Sequence, residues 1–163
     1  MFDRFRPAPN PGNQMLFAFV QPNMPSRGLN RSHPTIRNAK KADMPQVLGL
    51  IKALAIFEKE PDAVEITVED LERDGFGEHP AFQCFVAEVN SKIEGIALIY
   101  NRYSTWKGKA IHLEDLIVNE SMRGTGLGTA LLDQVIKYSH ALGVKRINWE
   151  VLDWNEPAIA FYE

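Results

Sequence analysis

The chain has 163 residues, 45% of them apolar and 24% charged, with a net charge of −3 and a pI near 5.8. That is one soluble globular domain's worth of residues; it excludes a disordered chain and ranks a basic, phosphate-reading nucleic-acid binder low. No apolar run reaches the length of a membrane span, and the single cysteine, Cys84, excludes an internal disulfide or a multi-cysteine zinc site, so a reducing, cytoplasmic setting is expected.

Residues 1–34 hold six of the ten prolines and four basic residues against one acid. They read as a loosely ordered tail; the apolar run Met15–Val20 is too short and too late for a leader peptide. From residue 35 to 163 the pattern is regular, and acids outnumber bases 20 to 14. Such a body fits a cationic small substrate as well as ordinary solubility.

Thr35-Ile36-Arg37 predicts a short strand. Ala42-Asp43-Met44-Pro45 opens a helix, whose apolar stripe runs through Val47, Leu48, Ile51, Leu54, Ala55 and Phe57. Thr67-Val68-Glu69-Asp70 is a capping box for a second, short helix that Gly75 and Gly77 end. Phe82–Val89 and Lys92–Tyr103 alternate as strands around an Asn90-Ser91 turn, and Cys84 falls on their apolar face as a buried small residue. Ala110–Val118 is a third strand. Gly126–Leu142 is helical up to Gly143, Lys145–Leu152 is a strand, and Asn155–Tyr162 begins a last helix.

The most informative segment is Val118-Asn119-Glu120-Ser121-Met122-Arg123-Gly124-Thr125-Gly126-Leu127-Gly128-Thr129. A strand runs into a glycine-rich turn that opens a helix. Such a turn offers unpaired N–H groups and a positive helix end to an anion, above all a phosphate. The dinucleotide pattern starting at Gly124 breaks at Thr129, and no lysine follows the glycines as a P-loop requires. The arrangement that fits is Arg123-x-x-Gly126-x-Gly128.

That motif resembles the diphosphate cradle of the GNAT N-acetyltransferases, which use acetyl-CoA. The order of elements over residues 35–163 resembles the same family. Leu50–Ala55, Asp74–Pro80, Val86–Val89, Leu113-Glu114-Asp115 and Trp154–Tyr162 resemble the spermidine/spermine and thialysine N-acetyltransferases. Tyr103-Ser104-Thr105-Trp106-Lys107-Gly108 is nearer the thialysine branch, because the polyamine branch has an aspartate where Ser104 stands. The resemblance implies an α+β fold, a mixed and mostly antiparallel sheet flanked by helices. It also implies two further strands after Tyr162, which the sequence, ending at Glu163, does not include. An open sheet edge is then expected, and a homodimer where the sheet is completed.

The resemblance implies acetyl transfer to a small cationic amine, with acetyl-CoA as co-substrate and no metal, nucleic acid or membrane partner. A coenzyme-binding or dimerisation module without turnover is the alternative. The cofactor would be held by Arg123, Gly124, Thr125, Gly126, Leu127, Gly128 and Thr129. The backbone of Leu116, Ile117 and Val118 would pair with its pantetheine arm, the N–H of Ile117 or Val118 serving as oxyanion donor. Asn155, Glu156, Pro157 and Ala158 would close it from the other side. Phe57, Glu58, Trp149 and Glu150 match acceptor-site positions, with Trp149 doubling as core. Glu114 is the candidate acceptor of the amine's proton and Tyr162 the candidate general acid. Adjacent strand residues point to opposite faces, so only one of Glu114 and Asp115 aims at a given site unless a bulge intervenes.

Overall fold

The computed structural model describes residues 34–163 and the backbone of one earlier strand. The elements are β1 (Asn13–Phe19), β2 (Thr35–Asn38), α1 (Met44–Phe57), α2 (Val68–Phe76), β3 (Gln83–Val89), β4 (Lys92–Ser104), β5 (Gly108–Val118), α3 (Leu127–Ala141), β6 (Arg146–Leu152) and α4 (Glu156–Tyr162). The strands form one sheet in the order β1-β6-β5-β4-β3-β2. Every neighbouring pair is antiparallel except β5 and β6. The expected α+β architecture is therefore present, with five strands from residue 35 onward. The expectation of a loose tail falls mostly outside the described residues. Within it, Asn13–Phe19 lies antiparallel along the far edge of β6.

Local chemistry sets the element ends. Thr67 accepts from the Asp70 N–H while Asp70 accepts from the Thr67 N–H, the reciprocal cap that starts α2. Asn90 and Ser91 both have positive φ, 51° and 63°, as a two-residue hairpin of matching twist demands. Gly143, at φ 69°, ends α3.

The sheet buries both faces. Phe85, Ala97, Ile99, Ile111 and Leu113 pack against Leu127, Leu131 and Val135 of α3. On the other face Val86, Ile93, Ile96 and Ile117 pack against Met44, Val47 and Leu48 of α1 and Leu71 of α2. Gly95 lets α3 come close, since a Cβ there would lie 3.0 Å from Leu131 Cδ1 and from the Ile117 carbonyl. Cys84 is buried on the α1 face, where burial, with help from Asp43 and Asp115, pushes its thiol up to about 12. It is a core residue and not a nucleophile.

One ionic cluster pins β2 to the start of α1 and to β3. The Arg37 guanidinium meets Asp43 at 2.7 Å and Glu88 at 2.6 Å, and Asp43 also accepts from the Lys40 N–H. The Arg37 hydrogen bond holds the Asp43 carboxyl below its ordinary range. A depressed carboxyl stabilises the fold above its unfolded pKa and loses that contribution as pH falls through its folded pKa. Arg37→Ala should cost about 2 kcal/mol at neutral pH. Urea unfolding at stepped pH should show the gap between variant and parent closing below the ordinary aspartate range.

Candidate active site

β5 and β6 share only two residue pairs, Ile111–Ile147 and His112–Asn148. Beyond them β5 continues to Val118 and β6 to Leu152 without pairing to each other. The strands therefore part toward their C-terminal ends, and the main-chain groups along that side of β5 need other partners.

The glycine turn stands at the end of this opening. Asn119 and a single turn at Glu120–Met122 carry the chain from β5 to Gly126, the residue before α3. The Arg123 N–H returns to the Glu120 carbonyl at 3.2 Å, and the Ala130 N–H is the first to bond back to Gly126. Among the described residues, none of the N–H groups of residues 124–129 has a hydrogen-bond partner. Gly124 and Gly126 have φ of 72° and 89°, a conformation that a side chain strains. Gly128 faces α4, since a Cβ there would lie 3.5 Å from the Phe161 ring and 3.7 Å from Val118 Cγ2. Unpaired amides, permissive backbone and a helix N-terminus fit the diphosphate of a coenzyme.

The other side of the opening is acidic. β5 carries a bulge, because Leu98 pairs with Asp115 and Ile99 with Leu113, leaving Glu114 as the extra residue. Leu113 and Leu116 consequently share the α3 face, while Ile117 lies on the α1 face. The bulge frees Glu114 from strict alternation, so it and Asp115 act on one region. Burial pushes the Asp115 carboxyl up to about 6, assisted by the like charges of Glu114 and Glu58. Glu58 ends α1, is half-buried, and is itself raised by burial. Among the described residues, neither Glu58, Glu114 nor Asp115 forms an ion pair with a lysine or arginine; His112 Nε2 lies 3.5 Å from the Glu114 carboxylate. Tyr100 also faces Glu114, its phenol raised by burial and then by that carboxylate.

Aromatic contacts tie the walls together. Tyr162 stacks on Trp149 at 4.8 Å between centroids and touches Phe161 edge-on. Burial, then Asp115, raises the Tyr162 phenol well above its ordinary value. Phe57, 40% exposed at the end of α1, meets Trp154 at 5.7 Å, and the Arg123 guanidinium lies 5.3 Å from the centre of its other contact, the Phe57 ring. The arginine of the glycine turn thus lies against the aromatic ring at the end of α1.

The structure gathers Glu58, Glu114, Asp115 and Tyr162 about the opening and lines its end with residues 123–129. Trp149 lies in the core beneath Tyr162, and Glu150 is exposed on β6. Asn155 caps α4, its side-chain oxygen accepting from the Ala158 N–H at 3.3 Å, while Glu156 and Pro157 are exposed beside it. Ser104 ends β4 at the far hairpin, its hydroxyl accepting from the N–H groups of Trp106 and Lys107. Tyr100 and His112 were not singled out from the sequence; His112 stands two residues before Glu114, a spacing that marked it only as another strand residue. Among the described residues no group of three or more metal-ligating side chains gathers, and no helix is long and apolar enough to cross a membrane.

Residues 49–163 match the acetyltransferase (GNAT) family. The chain is 40% identical over 136 residues to the thialysine N-epsilon-acetyltransferase of Bos taurus, covering 78% of this chain and 80% of that one. It is 37% identical over 134 residues to spermidine/spermine N(1)-acetyltransferase-like protein 1 of Homo sapiens, covering 78% of this chain and 19% of that one. A solved aminoglycoside acetyltransferase from an uncultured soil metagenomic sample shares the fold, with a TM-score of 0.68 at 19% identity over 79% of this chain and 84% of that one.

The acidic wall has a measurable cost. A carboxyl raised from 3.8 to about 6 favours the folded state at low pH and opposes it as pH climbs between those values. Asp115→Asn should therefore stabilise the ligand-free protein at pH 7, by about 3 kcal/mol, and change little near pH 4. Thermal unfolding at the two pH values checks both halves.

Proposed function

The chain belongs to the acetyltransferase (GNAT) family, and from that premise we propose that it moves an acetyl group from acetyl-CoA to a primary amine of a small cationic substrate, in one ternary complex. The observation that carries this reading is the parting of β5 and β6, with unpaired amides at one side and unneutralised carboxylates at the other. Bound acetyl-CoA supplies an acetyl group activated as a thioester.

The N–H groups of residues 124–129 hold the diphosphate, and Arg123 swings from Phe57 to add its charge. The open side of β5 takes the pantetheine arm as an added strand. Register decides which groups face it. The Asn119 N–H bonds to the Glu94 carbonyl, so by antiparallel alternation Ile117 turns its N–H and carbonyl toward β4. Leu116 and Val118 turn theirs toward the opening. Of the two oxyanion donors the sequence left open, this register favours Val118.

Glu58, Glu114 and Asp115 attract the substrate's ammonium, whose pKa resembles that of lysine at about 10. Glu114, directly or through a water, takes the proton that frees the nitrogen lone pair. The nitrogen bonds to the acetyl carbon as the carbon–sulfur bond breaks. Tyr162, kept protonated by its buried setting, gives its phenolic proton to the departing sulfur and regains one from solvent. The similarity to thialysine acetyltransferases, together with Ser104 in place of an aspartate, favours a lysine-like amine over a long polyamine.

Tyr162→Phe should lower kcat by about a hundredfold while leaving acetyl-CoA affinity by calorimetry almost unchanged. Thiol release should give a higher kcat/KM with thialysine than with spermidine; equal values would defeat the preference. Calorimetric binding with no thiol release for any amine would identify a coenzyme-binding module in place of an enzyme.

A further inference from the structure

Among the described residues three buried polar side-chain atoms have no hydrogen-bond partner: Trp149 Nε1 on the α3 face, and two at the mouth of the opening that the reaction above does not use. The latter two are Nδ1 of His112 and Oδ1 of Asn148, on residues 6% and 3% exposed. His112 and Asn148 are the last pair of the parallel ladder, so their side chains leave the same face of the sheet. Tyr100 is next in the row, opposite His112 on β4, with ring centroids 4.9 Å apart. An unpaired buried polar atom costs about 1–3 kcal/mol. Two on neighbouring side chains ask for one explanation.

The oxygen and nitrogen of a side-chain amide are told apart by their partners, not by their shape. Half a turn of the Asn148 amide puts its NH2 group where Oδ1 stands. The NH2 group would then stand on the same face and in the same row as the Nδ1 lone pair, so that one pairing would answer both orphaned atoms. Nδ1 is an acceptor only when the neutral ring carries its proton on Nε2, and Nε2 is the atom 3.5 Å from Glu114 Oε2.

We propose that Asn148, His112 and Glu114 form a hydrogen-bonded chain in which His112 is a positioning residue: Asn148 fixes the imidazole in its Nε2–H form, and that N–H holds the Glu114 carboxylate toward the amine. The positioning role rests on the reading of Glu114 as proton acceptor; the chain itself does not. Tyr100 and Arg102 face the ring from β4, Glu114 from its own strand and Glu150 from β6. Burial outweighs the two carboxylates and keeps the ring neutral, so it has one N–H to give and one lone pair to receive.

Proton–nitrogen NMR of the imidazoles in the full chain at neutral pH reads the tautomer directly. His112 should be neutral with its proton on Nε2. Asn148→Asp, which offers acceptors alone, should bring a proton onto Nδ1. A parent ring protonated on Nδ1, or an Asn148→Asp ring with Nδ1 still bare, overturns the chain. In steady-state kinetics His112→Leu should lower kcat about tenfold with the KM for acetyl-CoA unchanged, and His112→Gln, whose amide donates from nearly the Nε2 position, should recover most of it. Equal losses in the two variants overturn the positioning role. If the parent acetylates no amine, the functional reading falls, and with it the role of Glu114, while the NMR result still decides whether the chain exists.

Discussion

The release of β6 from β5 after two residue pairs is the constraint on which the site depends. Parallel neighbours ordinarily satisfy each other's main chain along their whole shared length. Here β5 is held firmly on one side by β4, through a ladder from Ser104–Gly108 to Gly95–Val118, and is left open on the other. The open stretch leads straight into the glycine turn and α3, so strand-edge groups and unpaired helix amides face one continuous cleft. Gly95 lets α3 settle closely on β4, and Gly128 faces Phe161 of α4 and Val118 at the end of β5. The walls of the cleft are thus core elements whose positions packing fixes.

The acidic side shows how a site can be built against stability. Asp115 sits where burial and two like charges oppose its ionisation, and neither Glu58 nor Glu114 meets a lysine or arginine among the described residues. A bound cation would relieve that repulsion, so the strain of the free protein becomes affinity for a positively charged guest. Phe57 touches both the Arg123 guanidinium of the glycine turn and the Trp154 ring, and so links that turn to the end of α1.

Local signals in the chain were legible and long-range ones were not. The capping box at Thr67, the Asn90-Ser91 turn, the glycines before α3 and Gly143 after it all act within a few residues, and the structure has each in its expected place. Glu114 and Asp115 stood out as a pair, but alternation allows only one to face a site. The bulge that lets both act arises from pairing with β4, which no window of sequence around residue 114 contains. That Val118 and not Ile117 turns its N–H toward the opening follows from the same ladder, and the His112–Asn148 row requires the register of a parallel pair far apart in the chain. Trp149 carried two readings, and its stacking under Tyr162 makes it the floor that orients the phenol.

The ladder between β1 and β6 joins segments separated by nearly the whole described chain. A ribosome makes residues 13–19 long before residues 146–152, so the earlier strand waits without its partner through most of synthesis. Contacts of such long span close late, because the chain entropy they consume is returned only once the rest of the sheet exists. Met15-Leu16-Phe17-Ala18-Phe19 is therefore an apolar strand that stays without its edge partner through that interval, the kind of segment open to wrong pairing.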